Sequence, residues 1–278
     1  MSDVDGSPKG FRVEPEPWVA FRPALDAMLE PLGDIALART PPPPGARVLD
    51  VGCGCGATTL ALADLVGPTG EVVGIDPSVP MLDVARRSAA DHGATNISFV
   101  EGDAGTHPFE PHAFDLVYSR LGIMFFNEPE AAFANLRRAL RRGGRFGFVC
   151  WRPLGENGWA IEPRNAVATI VPLPPPPPTD AVGPFSLSSD DRIRTLLSGA
   201  GFVDVEVEAH DTPLLLGRGD IDEAIEFYLR LLPTGYLMFE PDRHLLDRIR
   251  VALRTVLEKH HAPDGIWMGS GSWVVRAR

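Results

Sequence analysis

The sequence predicts an α/β protein: a mostly parallel sheet with helices on both faces. Three observations predict it. From Val48 to Trp151, short apolar runs that end in turn residues alternate with stretches of helical periodicity. The first run, Val48-Leu49-Asp50-Val51, stops at Gly52, Gly54 and Gly56 and passes into Thr58-Thr59-Leu60-Ala61-Leu62-Ala63, which reads as strand, tight loop and helix start. The next two runs end at acidic positions, Asp76 and Glu101-Gly102-Asp103, and open sheets place their ligands at such strand ends.

Taken in order, residues 1 to about 16 carry Gly, Pro and charge without periodicity and are expected to be mobile. Leu25, Met28, Leu29 and Leu32 recur at helical spacing and predict a helix from Pro23 to Ala38, with Trp18 and Phe21 ahead of it. Thr40 to Gly45 is a stiff proline spacer. A helix over Thr58 to Val66 and a turn at Gly67-Pro-Thr-Gly70 lead to a second strand, Glu71 to Ile75, which ends at Asp76. Ser78 is a natural N-cap for a helix from Val79 to about Asp91, stopped at Gly93. Ile97 to Val100 and Phe114 to Tyr118 form the third and fourth strands, and His107 and His112 between them read as solvent-facing.

Asn127-Glu-Pro-Glu130 opens a helix with Phe133, Leu136 and Leu140 on one face and Gly143-Gly144 as its stop, and Arg145 to Trp151 is the fifth strand. Arg152 to Leu187 reads as an insertion, because Pro172 and Pro174 to Pro178 fit neither a helix nor a central strand. Ser189 to Ser198 is helical, Phe202 to Val207 alternates as a sixth strand, and Pro213 to Ala262 is a second insertion with helices at Ile221–Leu232 and Asp242–His261. Trp273 to Ala277 closes the chain as a strand. The expected division is a core of 46–151 and 188–212 with the last strand in 266–278. Segments 1–45, 152–187 and 213–265 supply an N-terminal flexible stretch and a cover.

The glycine loop suits a nucleotide-like ligand. Read as Gly52-x-Gly54-x-x-Ala57 it passes the loose dinucleotide fingerprint. Read as Asp50-x-Gly52-x-Gly54-x-Gly56 it carries a carboxylate two residues before the first glycine. That anion would repel a pyrophosphate but suits an ammonium or sulfonium, which favours S-adenosylmethionine. Asp76 stands where a carboxylate accepts ribose hydroxyls. Ser119, Arg120 and Tyr118 become candidates by lying at a strand end.

Val48 to Trp151 resembles the core of the class I S-adenosylmethionine-dependent methyltransferases, within them the small-molecule group related to ubiquinone/menaquinone-type enzymes. The resemblance implies a Rossmann-like, seven-stranded, mostly parallel sheet with an antiparallel last strand and a helical cover built from the insertions. It implies S-adenosylmethionine as cofactor, S-adenosylhomocysteine as product, and a cofactor site of Asp50, Gly52, Cys53, Gly54, Asp76, Pro77, Met81, Asp103, Ala104, Ser119 and Arg120, with Asp103 and Ala104 on the adenine. Arg142 stands where such sequences often have Pro.

Methyl transfer from a sulfonium needs alignment in a dry pocket more than acid–base groups, and the sequence presents no catalytic motif. The acceptor is expected to be a small hydrophobic or aromatic molecule. Its pocket would have Arg120, Met124 and Trp151 as floor. The roof would come from the Trp18 to Leu32 segment and from aromatic and apolar residues of the insertions: Trp159, Ile161, Phe185, Phe227, Tyr228, Leu231, Leu232, Tyr236, Met238 and Phe239.

Other classes fit less well. A net charge of -11 over 278 residues and scattered arginines argue against a nucleic-acid partner. No apolar run long enough to insert in a membrane exists and the first residues are not leader-like, so a cytoplasmic protein is expected. Cys53, Cys55 and Cys150 give neither a disulfide framework nor a metal site. A nicotinamide-dependent oxidoreductase of the short-chain type needs a Tyr-x-x-x-Lys pair, which Lys9 and Lys259, the only lysines, do not form. An inactive binding module on the same fold stays open at this level, as do oligomeric state and the methylated atom.

Overall fold

A computed structural model describes residues 15–231 and 242–278. The expectation for residues 1–14, and the placements of Leu232, Tyr236, Met238 and Phe239, lie outside the described residues. The sheet comprises β1 (Arg47–Val51), β2 (Glu71–Asp76), β3 (Ile97–Glu101), β4 (Phe114–Arg120), β5 (Leu140–Trp151), β6 (Glu206–Gly217), β7 (His261–Ala262) and β8 (Gly265–Ala277). Its order is β3-β2-β1-β4-β5-β8-β6, with β7 paired on β8. The first five strands pair in parallel, while β8 runs antiparallel to both β5 and β6. This is the expected sheet with one additional two-residue strand.

Nine α-helices surround it among the described residues: α1 (Pro15–Ala20), α2 (Arg22–Arg39), α3 (Ala57–Val66), α4 (Val79–His92), α5 (Pro129–Ala139), α6 (Gly158–Ala168), α7 (Asp190–Gly199), α8 (Ile221–Leu231) and α9 (Arg243–Leu257). Side-chain caps start four of them. Ser78 accepts from Met81 N, Ser189 from Arg192 N, Asp220 from Asp222 N and Glu223 N, and Asp242 from Leu245 N, each satisfying donors that the first helical turn leaves free.

The two faces of the sheet are distinguishable by what they meet. One carries Asp50, Tyr118 and Gly147, neighbours across β1, β4 and β5. Against it lie α3, through Thr59 on Asp50, and α2, through the Tyr118 hydroxyl donating to Gly33 O. The opposite face presents Phe146 and Phe148 to Phe133 of α5, and Phe146 also stacks on Phe202 at 5.1 Å beyond α7. Helix α2 thus belongs to the sheet's own helical layer, although the sequence placed it in the cover.

Other boundaries differ from expectation. Trp18, expected ahead of the first helix, lies in a short helix of its own, α1. Helix α5 stops at Ala139, and Gly143-Gly144 fall inside a longer β5. The expected sixth strand at Phe202–Val207 is displaced to Glu206–Gly217, because Asp204 takes a left-handed φ of 51° and Phe202 turns into the core. β6 then runs through Pro213, which the sequence marked as the start of an insertion. A proline is tolerated there because β6 is the sheet's edge and its missing N–H removes no inner ladder bond. β8 begins at Gly265 rather than Trp273. The first insertion contains α6, which sequence did not anticipate; α9 packs on α6 and α8, while α6 packs on β8 and α8 on β6. His107 is half-buried with its ring 4.7 Å from Phe109, so it is not free in solvent, whereas His112 is exposed.

Candidate functional site

The carboxyl ends of β2, β1 and β4 lie side by side and carry most of the candidate residues. β1 delivers Asp50, almost wholly buried, which accepts a hydrogen bond of 2.7 Å from the Thr59 hydroxyl on α3. Burial pushes its carboxyl up to about 6, against the opposing pull of that hydroxyl and of Arg120. The loop leaving β1 folds back on β2: Gly52 N and Cys53 N both donate to Ile75 O. Gly52 sits at φ 68°, and a Cβ there would fall 2.7 Å from the Cα of Gly122. Only glycine fits a left-handed residue pressed on another backbone.

Asp76 brackets this loop. Its Oδ2 accepts from Gly54 N at 3.0 Å and its Oδ1 from Ser78 N at 2.8 Å. Burial raises its pKa while those two N–H groups lower it. A carboxylate has about four acceptor positions, so capacity remains on both oxygens. Pro77 follows, exposed, and the Met81 Sδ-methyl on α4 lies over Gly54. Cys53 is buried beneath the loop with its thiol held well above the usual range by burial, and Cys55 is pushed up to about 11 mainly by the same cause, so neither thiol is a ready thiolate.

Ser119, fully buried, ties the end of β4 to that of β1. Its hydroxyl donates to Val51 O at 2.7 Å and accepts from Gly122 N at 3.2 Å. Arg120, next along, points its guanidinium to Asp26 at the start of α2, 3.8 Å away. At the end of β3, Asp103 is exposed and caps its own turn by accepting from Gly105 N at 2.8 Å. Ala104 is buried, with its carbonyl held by Asn135 of α5 at 3.0 Å.

The aromatic candidates gather elsewhere. Trp151 at the end of β5 lies 4.9 Å from the ring of Trp159 on α6, and Trp159 stacks on Phe185 at 6.5 Å. Tyr228 of α8 donates to Trp159 O and touches Met268. Trp151, Trp159, Tyr228 and Met124 are all buried at 5% exposure or less. Met124 holds the returning chain, its carbonyl accepting from the Ser186 hydroxyl and Gly183 N. Trp18 is half-buried on α1, which packs on α4 and α8. The structure therefore brings the glycine-loop, β2 and β4 candidates together at neighbouring strand ends and gathers Trp151, Trp159 and Tyr228 into an aromatic core. Sequence reasoning did not single out Thr59, Asn135, Arg22 or Asp26. The i,i+4 spacing of Arg22 and Asp26 was the available signal for the last two.

The family profile described as "Methyltransferase domain" matches residues 48–144. Nocamycin O-methyltransferase of Saccharothrix syringae is 33% identical over 178 residues, covering 61% of this chain and 63% of the relative. An uncharacterized protein of Mycobacterium bovis is 31% identical over 232 residues, covering 80% of this chain and 81% of the relative. The chain spans less than two thirds of the length of the named methyltransferases it matches. A SAM dependent methyltransferase from Aquifex aeolicus shares the fold at 18% identity, with a TM-score of 0.53 over 73% of this chain and 94% of that one.

Proposed function

The chain belongs to the class I S-adenosylmethionine-dependent methyltransferases, and from that premise we propose that it moves a methyl group from S-adenosylmethionine to a small, apolar or aromatic acceptor. The observation that carries this reading is the pair of buried carboxylates, Asp50 and Asp76, on neighbouring strand ends either side of a loop of left-handed glycines. Two such carboxylates repel a pyrophosphate and fit a cationic nucleoside.

In this reading the residues fit the cofactor. The spare acceptor positions of Asp76 take the ribose hydroxyls, and Asp103 with the N–H of Ala104 takes the adenine edge. Asp50 faces the cationic end of the cofactor across Gly52, Cys53 and Gly54, while Pro77 and Met81 close one side of the crevice. Ser119 keeps β1 and β4 in register beneath it. The bound cofactor supplies a methyl group on a sulfonium sulfur, which departs as the neutral sulfide of S-adenosylhomocysteine. What the chain adds is positioning: an acceptor held at the ends of β4 and β5, between Arg120, Met124 and Trp151, is kept from water by α1 and α8. Trp159 and Tyr228 form the rigid backing of that wall, and Trp18 contributes from α1.

The relative named as an O-methyltransferase supports oxygen as the methylated atom. The test is release of S-adenosylhomocysteine in the presence of a panel of hydroxylated aromatic molecules, with product mass increased by one methyl group. A panel in which no acceptor of this class turns over, while a macromolecular acceptor does, would reject the substrate class.

A further inference from the structure

Two hydroxyls buried on the sheet have nothing to bond to. Ser272 is fully buried and Thr212 is 8% exposed, yet neither Ser272 Oγ nor Thr212 Oγ1 has a hydrogen-bond partner among the described residues. The Nε2 atom of His210 lacks one as well, with the Glu208 carboxylate 3.5 Å away. These atoms belong to one patch. Ser272 pairs in register with His210, and Ser270 with Thr212, across the antiparallel ladder of β8 and β6. Paired residues, and residues two apart along a strand, share a face of the sheet, so all four side chains project together. Within the patch the Ser270 hydroxyl is satisfied, donating to Thr212 O at 2.7 Å.

The face is the one that carries Trp151, which is the β5 register partner of Ser272. Two residues beyond Ser270, Met268 meets the Tyr228 hydroxyl at 3.4 Å. Val149, two residues before Trp151, is the register partner of Arg120 on β4, so the same face runs on toward the glycine loop. Two strand spacings and two residues along the sheet separate Ser272 from Arg120, about 12 Å. A molecule of two or three rings covers that span. An unpaired buried hydroxyl costs stability, and valine or alanine at these two positions would avoid that cost. Polar groups kept against stability are expected where they serve a ligand.

Resting on the acceptor reading above, we infer that Ser272 and Thr212 form a polar subsite for a second oxygen of the acceptor, remote from the atom that is methylated. A hydroxyl donates to a carbonyl, an ether or another hydroxyl. The acceptor class narrows accordingly, from any apolar aromatic to an oxygenated one: rings with the hydroxyl to be methylated at one end and a hydrogen-bond-accepting oxygen, foremost a carbonyl, at the other. Ser272 and Thr212 are specificity-determining residues in this scheme and take no part in the methyl transfer itself.

The experiment has two arms, each run on the wild-type protein, Ser272→Ala and Thr212→Val. The first is thermal unfolding without ligand. Each variant is expected to melt roughly 2–4 °C higher, because a buried atom without a partner has been removed. The second measures kcat/KM with 4-hydroxybenzophenone and 4-benzylphenol, which share two rings and a hydroxyl and differ by one carbonyl. The wild-type protein is expected to favour the ketone. Each variant should lower that preference by roughly threefold to tenfold, the worth of one neutral hydrogen bond, while S-adenosylhomocysteine affinity stays within about twofold. Variants no more stable than wild type show that the hydroxyls are already satisfied within the fold and overturn the inference, as does a preference that the variants leave unchanged. If Ser272→Ala does not fold, Thr212→Val, which keeps the shape of the side chain, decides. A wild-type protein that methylates neither these probes nor any member of the hydroxylated panel overturns the acceptor reading itself, whereas one that methylates panel members but not 4-hydroxybenzophenone overturns this inference only.

Discussion

The Tyr228 hydroxyl donates at 2.8 Å to the main-chain carbonyl of Trp159. That carbonyl lies one turn before Pro163 in α6, and Pro163 has no N–H to give it. A tyrosine from another helix thus satisfies a backbone acceptor that the proline leaves free. Tyr228→Phe should lower stability by about 1–3 kcal/mol, the cost of an unpaired buried acceptor, with S-adenosylhomocysteine affinity unchanged. Denaturant unfolding and calorimetry together check this, and an unaltered midpoint would show that the bond contributes nothing.

Asp76 joins the glycine loop to the start of α4 through Gly54 N and Ser78 N. Asp76→Ala removes both bonds and the proposed ribose acceptors. S-adenosylhomocysteine affinity should fall by about 1.5–3 kcal/mol for each charged hydrogen bond lost to the ligand. Calorimetry giving a wild-type affinity would reject the assignment.

Gly52 presses on Gly122 at a left-handed φ. Gly52→Ala carries about 1–2 kcal/mol of backbone strain before any displacement of Gly122 is counted. A lower melting temperature accompanied by weaker S-adenosylhomocysteine binding is expected. A variant as stable as wild type would mean that the two backbones separate freely.

Asp50 makes stability depend on pH. The unfolded carboxyl ionises near 3.8 and the folded one near about 6, raised by burial and by Asp76 and lowered by Thr59 and Arg120. Between these values the folded state holds the extra proton, so its stabilising contribution is complete below the lower value and is lost as pH rises through the upper. Asp50→Asn cannot ionise. Relative to wild type it should gain little at the acid end of the window and about 3 kcal/mol by pH 7, read from urea unfolding across that range. A difference between the two proteins that does not vary with pH would contradict the burial of an ionisable group here.

Much of this was legible in the sequence because local chemistry and global fold agree over 48–151. Glycines at a strand end, Ser78 before Val79 and Asp76 at the close of an apolar run each carry their own physical signature. The rest depends on pairing. β8 is Gly-Ser-Gly-Ser through 269–272, side chains too small to mark a strand, and is held by β5 and β6 on either side. Pro213 reads as a break until its strand is known to be an edge. The meeting of Asp26 with Arg120 joins α2 to β4, and no local pattern announces it. Trp159 and Tyr228 were expected to roof an acceptor pocket; both are buried, and the Tyr228 hydroxyl is spent on the Trp159 carbonyl, a pairing that no local pattern announces.

The central claim is that the crevice beside Asp50 and Asp76 binds S-adenosylmethionine and its product. Thermal unfolding of the wild-type protein with S-adenosylhomocysteine or NAD(H) tests it most directly. A ligand at a hundred times its dissociation constant stabilises by about 2.7 kcal/mol. A clear rise in melting temperature with S-adenosylhomocysteine and none with NAD(H) is the predicted result; no shift with S-adenosylhomocysteine, or a shift with NAD(H) alone, would contradict the claim.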